Sequence, residues 1–200
     1  MDSNFSIEYI QSPGKIDDAF LDKFKVFIQL DYPPYGWGEK AESAFQKYIN
    51  TPGKGWVGFH HASLLGEFDG YPIWGWFSEF MGGIRFKNYI AGFAEAKVMV
   101  EADNHPVMRG VPPSFIIKKD EWYTYDKSPR SKVHVLASVD ETSYIPDSEI
   151  KMGDHPVIWT NDQFASRNIY IFMGHSPDLF DNQSYTTLFR NAVFWAAQRQ

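Results

Sequence analysis

The chain has 200 residues, with 19 basic side chains against 25 acidic ones, a formal net charge of −6, and no cysteine. That balance argues against a partner held through a phosphate backbone, which needs a basic face. The missing cysteines exclude disulfides, thiolate metal ligands and a cysteine nucleophile. Apolar residues make up 44% of the chain, enough for a sizeable core, and a chain of this length buries roughly 70% of its unfolded surface. No apolar run approaches a membrane span. The first ten residues, MDSNFSIEYI, have neither the basic nor the apolar region of a signal peptide. The expectation is a soluble protein with no nucleic-acid and no membrane partner, built as one domain over residues 1–200. Aromatic residues reach 18%. They fit a bulky core or the lining of a sugar site, and composition leaves both open.

Phe5 to Tyr9 alternates apolar and polar residues and reads as a strand with one wet face. A helical turn follows around Ala19 to Phe24, then a near-continuous apolar run, Val26 to Leu30, as in a buried parallel strand. Pro33, Pro34, Gly36 and Gly38 mark a loop. Glu39 to Ile49 places Ala41, Ala44, Phe45, Tyr48 and Ile49 on one helical stripe. Pro52-Gly53-Lys54-Gly55 then turns the chain into the buried strand Trp56 to Phe59. This order predicts parallel strands joined by right-handed crossovers.

Further along, Trp74 to Met81 reads as a short helix ended by Gly82-Gly83. Lys97 to Glu101, Phe115 to Ile117 and Val133 to Val139 read as strands with little helix between, which predicts an antiparallel excursion. Val157 to Trp159 and Ile169 to Phe172 are two more buried strands. A helix from Ser184 to Gln198 closes the chain, with Ser184 as the expected N-cap.

Several segments together resemble the ThuA (trehalose utilisation) family. They are Gly55-Trp56-Val57-Gly58-Phe59-His60-His61-Ala62, His105-Pro106-Val107-Met108-Arg109-Gly110-Val111-Pro112 and Asp120-Glu121-Trp122-Tyr123, followed by His155-Pro156-Val157-Ile158-Trp159, Gly174-His175 and Phe194-Trp195-Ala196. The resemblance implies an α/β fold of the flavodoxin-like, class I glutamine amidotransferase-like kind: a mainly parallel sheet flanked by helices, with the antiparallel excursion. It implies a loose link to carbohydrate metabolism. Two departures stand out. Met1 falls just before what looks like the family's second strand, so the first strand and helix are expected to be lacking. Asn88-Tyr89 stands where the family often has a histidine.

Ligands in open α/β sheets bind beyond the carboxyl ends of the strands. His60 follows the run Trp56 to Phe59, where an amidotransferase of the superfamily has a Gly-x-Cys nucleophile turn. His175 follows Ile169 to Met173 in the same manner, and Gly174-His175-Ser176-Pro177-Asp178 resembles the tail of an amidotransferase triad. Glu121 lies just past a strand, among aromatics, where a carboxyl group tends towards a raised pKa and acid/base work. His60, Glu121 and His175 are the candidate catalytic set, expected to meet in one cleft. Each has a bland alternative: a turn-capping histidine, or a carboxylate satisfied by backbone N–H groups. His61, Trp74, Trp76, His105, Asp120 and Tyr123 are candidate ligand-binding residues. His61 is expected to point away from His60, and Tyr71 to Ile90 to wall the pocket. His155 falls at the wrong sheet edge on a simple reading.

No metal-ligand motif is present, so no metal residues are assigned. His60, His175 and Glu121 still leave a divalent metal open. No dinucleotide fingerprint or P-loop supports a nucleotide cofactor. Two functions compete. One is an enzyme acting on a saccharide or an oxidised sugar by His/Glu acid–base chemistry, with a small-molecule sugar as its partner. The other is a non-catalytic carbohydrate-binding or assembly module on the same fold. Self-association is open.

Overall fold

Trp56 and Phe59 of one short strand point to opposite faces, and each meets a different layer of helix. That single fact fixes the architecture. The computed structural model describes residues 5–199. In chain order the elements are α1 (Asp18–Leu21), β1 (Val26–Gln29), α2 (Glu39–Ile49), β2 (Gly55–Phe59), α3 (Gly75–Phe80), β3 (Phe86–Tyr89), β4 (Ala94–Val100), β5 (Ser114–Asp120), β6 (Tyr123–Tyr125), β7 (His134–Ile145), β8 (Pro156–Thr160), β9 (Arg167–Ile171) and α4 (Gln183–Ala196).

Seven strands form one sheet in the order β1-β2-β9-β8-β7-β4-β5, and β3 and β6 form a separate antiparallel pair. β1, β2 and β9 run parallel. From β9 onward every neighbour is antiparallel. Because the strands alternate there, β7 and β5 again run in the direction of β2. The parallel strands expected near residues 26–30, 56–59 and 169–173 are therefore adjacent, and the antiparallel excursion supplies the other half of the sheet.

On one face, Phe27 packs on Phe45 of α2 at 5.6 Å between ring centroids, and Trp56 packs on Phe80 of α3 at 5.0 Å. On the other, Phe59 stacks on Phe189 of α4 at 5.4 Å. The stripe read from α2 is the stripe that is buried. Its first turn carries Glu39 and Glu42 and its last turn Lys47, each at the end the helix dipole favours. Among the described residues, no helix is long and apolar enough to cross a membrane.

Two local expectations fail, and one strand pair carries no sequence signal. Phe5 to Tyr9 is not a strand. Ile7 and Tyr9 stay exposed, and the Phe5 ring sits edge-on to Phe194 of α4, so a residue that alternation assigned to a sheet face packs on a helix instead. The N-cap of α4 is Asn182, whose side chain accepts from the N–H groups of Ser184 and Tyr185. The β3–β6 pair went unread because its strands are only three or four residues long, and β3 is largely exposed.

Gly55 shows how tightly α4 is seated. A Cβ there would lie 2.3 Å from the Ala196 carbonyl oxygen, a backbone atom that cannot swing aside. Gly55→Ala should therefore push α4 off the sheet and cost about 1–3 kcal/mol, read as a lowered midpoint of denaturant unfolding. An unchanged midpoint would show that the helix is loosely held.

A buried acid on β7 links stability to pH. Glu141 accepts the Met152 and Gly153 N–H groups at 2.6 and 2.7 Å and faces His155 Nδ1 at 2.9 Å. Burial alone would raise its pKa, but His155 and the two N–H donors outweigh burial and hold it below its ordinary value of 4.5. The folded state thus favours the ionised form. The stabilisation is present above that ordinary value and is lost as pH falls through the folded one. Between roughly pH 5 and pH 3, the unaltered chain should lose stability more steeply than Glu141→Gln. Parallel curves would contradict this.

Candidate active site at the carboxyl edge of the sheet

β1, β2, β9 and β5 all deliver their carboxyl ends to one edge, as their shared direction requires. Asp31, His60, the loop 174–176 and the pair Asp120-Glu121 lie just beyond or at those ends. β5 is four places from β9, which in a flat sheet is roughly 19 Å at the usual strand spacing. Yet Asp120, the last residue of β5, accepts the N–H groups of Gly174, His175 and Ser176 at 2.9, 3.0 and 3.1 Å. The sheet must therefore curl. Register shifts between β4 and β5, β4 and β7, and β7 and β8 supply the bends.

His60 leaves β2 with φ of +39°, a left-handed conformation that is unusual for histidine. The chain then enters a 3-10 turn, His60–Ser63. Buried hydroxyls hold that turn: Tyr170 Oη donates to the His60 carbonyl at 3.0 Å, and Tyr125 Oη donates to Ser63 Oγ at 2.8 Å. Gly174 lets the β9 loop pass beside it, since a Cβ there would lie 3.0 Å from His60 Cβ. Asp31 leaves β1 in the same left-handed way, with φ of +48°.

These ends bring the three expected catalytic residues together. His60 Nε2 lies 3.3 Å from Glu121 Oε2 and 3.2 Å from His175 Nδ1, and His175 Nδ1 lies 3.5 Å from the same Glu121 oxygen. His60 Nδ1 faces the Phe172 carbonyl oxygen at 3.2 Å. A carbonyl only accepts, so Nδ1 carries the proton and Nε2 presents a lone pair whenever the ring is neutral. Tyr123 covers His60, with 4.5 Å between ring centroids. His60 is buried, whereas His175 keeps 35% and Asp31 37% of its side chain exposed, so solvent reaches the cluster from their side.

Electrostatics refine the expected roles. Burial pushes the Glu121 pKa up, but the His60 hydrogen bond, made when that ring is charged, the Tyr123 hydrogen bond and the nearby His175 outweigh it and leave the carboxyl below its ordinary value. Glu121 is thus an ionised acceptor near neutrality, and the raised value expected from its aromatic setting is not what its partners produce. Burial and the Glu121 charge push the Tyr123 hydroxyl well above its ordinary value, so it remains a donor. Burial also raises Asp120, against three N–H donors and His60.

His61 does not point away. In the 3-10 turn, successive side chains are about 120° apart rather than on opposite sides. The His61 ring lies 4.9 Å from that of His60, and its Nδ1 lies 2.6 Å from Asp31 Oδ1. Burial disfavours charge on His61, but the Asp31 carboxylate outweighs it and raises the histidine pKa. Asp31 went unread, although it follows the run Val26 to Leu30 as His60 follows Trp56 to Phe59.

Trp74, Trp76 and His105 are not brought to the cluster. Trp74 packs on Trp37 and Trp76 on Phe80 and Phe164, in the aromatic layer under α2 and α3. Of the segment expected to wall the pocket, Phe86 comes nearest, through its edge contact with Tyr123. His105 caps a short turn, accepting the Val107 N–H at 3.3 Å, and packs on Trp195. It follows the antiparallel β4 and therefore lies at the opposite edge.

A family model described as ThuA, trehalose utilisation, matches residues 1–196. The chain belongs to the ThuA family. A ThuA-like protein from Bacteroides uniformis is 30% identical, over 94% of this chain and 75% of its own, with a TM-score of 0.81. A second ThuA-like protein, from Parabacteroides merdae, is 20% identical over 98% and 80%, with a TM-score of 0.70. A protein from Thermoplasma acidophilum described as a GMP synthase subunit shares the fold at 15% identity, over 92% and 78%, with a TM-score of 0.56. No curated protein matches the chain. The fold is thus glutamine amidotransferase-like, and ThuA membership ties the protein to carbohydrate utilisation. With no cysteine in the chain, this ThuA-family member lacks the thiolate by which the superfamily's amidotransferases work.

Asp120 is the residue that holds the ThuA edge closed. Asp120→Ala would strand three N–H groups at a largely buried site and should cost about 1–3 kcal/mol or more. Amide exchange at Gly174, His175 and Ser176 should accelerate well beyond the global change. Equal protection in the variant would mean that other contacts hold the loop.

Proposed function

We propose that this protein is an enzyme acting on a saccharide or an oxidised sugar by acid–base chemistry, and not an amidotransferase. The observation that carries the reading is the convergence of His60 Nε2, His175 Nδ1 and Glu121 Oε2 within 3.2–3.5 Å of one another at the sheet edge. Acid–base catalysis needs groups at hydrogen-bond reach with different proton affinities. Glu121, held ionised, is the proton acceptor. His60, fixed with its proton on Nδ1, and the half-exposed His175 pass protons between that carboxylate and the substrate side. The partly exposed Asp31, His61 and His175 line the same edge and offer polar groups of the kind a sugar takes.

The convergence favours an enzyme over a binding module. A module would gain nothing from a buried histidine in strained backbone, and its expected aromatic platform, Trp74 and Trp76, is packed away from this edge.

The test is turnover on a panel of mono- and disaccharides, trehalose included, and their keto derivatives. Once a substrate is found, Glu121→Gln and His60→Ala should each lower kcat/KM by about 100- to 10 000-fold, and His105→Ala should leave it unchanged. Full turnover in Glu121→Gln, or turnover lost equally in His105→Ala, would remove the assignment. Saturable sugar binding without turnover by any substrate would favour the module.

A further inference from the structure

The protonation pattern at the cluster leaves more acceptors than hydrogens. His60 Nδ1 donates to the Phe172 carbonyl, so Nε2 turns a lone pair towards Glu121 Oε2, itself an acceptor, and towards His175 Nδ1. His175 Nδ1 has one hydrogen to give at most, and two acceptors face it. Beside them, Asp31 Oδ1 is buried and takes no hydrogen bond from a described residue. It lies 2.6 Å from His61 Nδ1, off line for one. Asp31, His60, His61 and His175 each offer a ligand atom, and these atoms lie within 4.8 Å of one another. Lone pairs that converge without enough hydrogens between them call for a cation.

The spacing fits one. Donor atoms around a tetrahedral ion with bonds of about 2.0–2.1 Å lie roughly 3.3 Å apart. Of the candidate donors, His60 Nε2 and His175 Nδ1 are 3.2 Å apart, and the ligand atoms of Asp31, His60, His61 and His175 all lie within 4.8 Å of one another. The outer contacts fit as well. A metal-bound histidine ordinarily donates its other ring N–H to a carbonyl or carboxylate, which fixes the ring and its tautomer, and His60 does so to Phe172. The exposed flanks of His175 and Asp31 give an ion a way in from solvent.

We propose that Asp31, His60, His61 and His175 bind one divalent transition-metal ion, with Glu121 beside it. Three imidazoles and a carboxylate select zinc-like ions over magnesium or calcium, which prefer all-oxygen sites. With the ion in place the imidazoles hold it, and Glu121 alone remains to take a proton. The assignment shares residues with the acid–base reading but does not depend on a sugar, and its test needs no turnover.

The 200-residue chain is treated with chelator, exchanged into metal-free buffer and titrated with Zn2+, with Co2+ as a spectroscopic stand-in and Mg2+ as control. One Zn2+ per chain should bind, Co2+ should give the intense visible bands of tetrahedral coordination, and Mg2+ should do neither. Because the ion binds only the folded chain, Zn2+ should also raise Tm. His175→Gln and Asp31→Asn, both at partly exposed positions, should weaken Zn2+ binding by at least about tenfold while leaving circular dichroism unchanged. His105→Ala, at the far edge, should not weaken it. The proposal is overturned if the unaltered chain binds less than one equivalent with no rise in Tm, or if His105→Ala weakens binding and His175→Gln does not. Zinc binding without turnover on any sugar would sink the acid–base reading alone. Turnover by a chain that binds no metal would sink this one alone.

Discussion

One carboxylate closes this sheet. Asp120 ends the strand at one margin and accepts three consecutive N–H groups from the loop after β9, four strands away. Without those bonds, Glu121 would sit at the rim of an open sheet, far from either histidine. With them, the neighbouring residue is set against His60, and His175 is fixed through its own N–H. Asp120 itself does no chemistry in this account. Its work is to convert a sheet margin into one wall of a site, and the burial that raises its pKa is part of the same closure.

The opposite wall is built by strain rather than by curl. Asp31 and His60 both leave their strands in the left-handed region, which costs a non-glycine residue on the order of 1–3 kcal/mol. The cost is tolerated because the surroundings over-determine the turn. Tyr170, Tyr125 and Ser63 tie its backbone, Tyr123 covers the His60 ring, and the Phe172 carbonyl fixes its tautomer. A side chain so constrained has little freedom left to lose on binding, which is what a reacting or ligating group requires. In the superfamily's amidotransferases the corresponding turn is expected to carry a thiolate. Here it carries an imidazole, held in a left-handed backbone conformation.

Much of this was legible in the sequence because it rests on short-range signals. The apolar runs ending in His60 and His175 told both that they were buried strands and which edge their next residue would reach. The stripe of α2 was right residue by residue. What could not be read depends on distances the chain closes in space. Asp120 looked like a ligand-binding acid because nothing local shows that its partners lie more than 50 residues on. His61 was misdirected by applying strand alternation to a turn. Trp74 and Trp76 belong to the core rather than the site, because an aromatic segment rich in glycine reads the same in sequence whether it walls a pocket or fills a core. Asp31 carries the same signal as His60, the first residue after an apolar run, but its run is the edge strand, where Ile28 and Leu30 stay exposed.

The central claim is that His60, Glu121 and His175 form one proton-coupled unit, with His60 held as the Nδ1–H tautomer. Long-range 1H–15N correlation spectra of the imidazole nitrogens, in the metal-free chain and in Glu121→Gln, test it most directly. The account predicts a protonated Nδ1 on His60 in both, with the ring signals of His60 and His175 shifting together on the Glu121 substitution while those of His105 and His134 stay fixed. A neutral His60 with a bare Nδ1, or a Glu121→Gln spectrum in which neither His60 nor His175 moves, would contradict it.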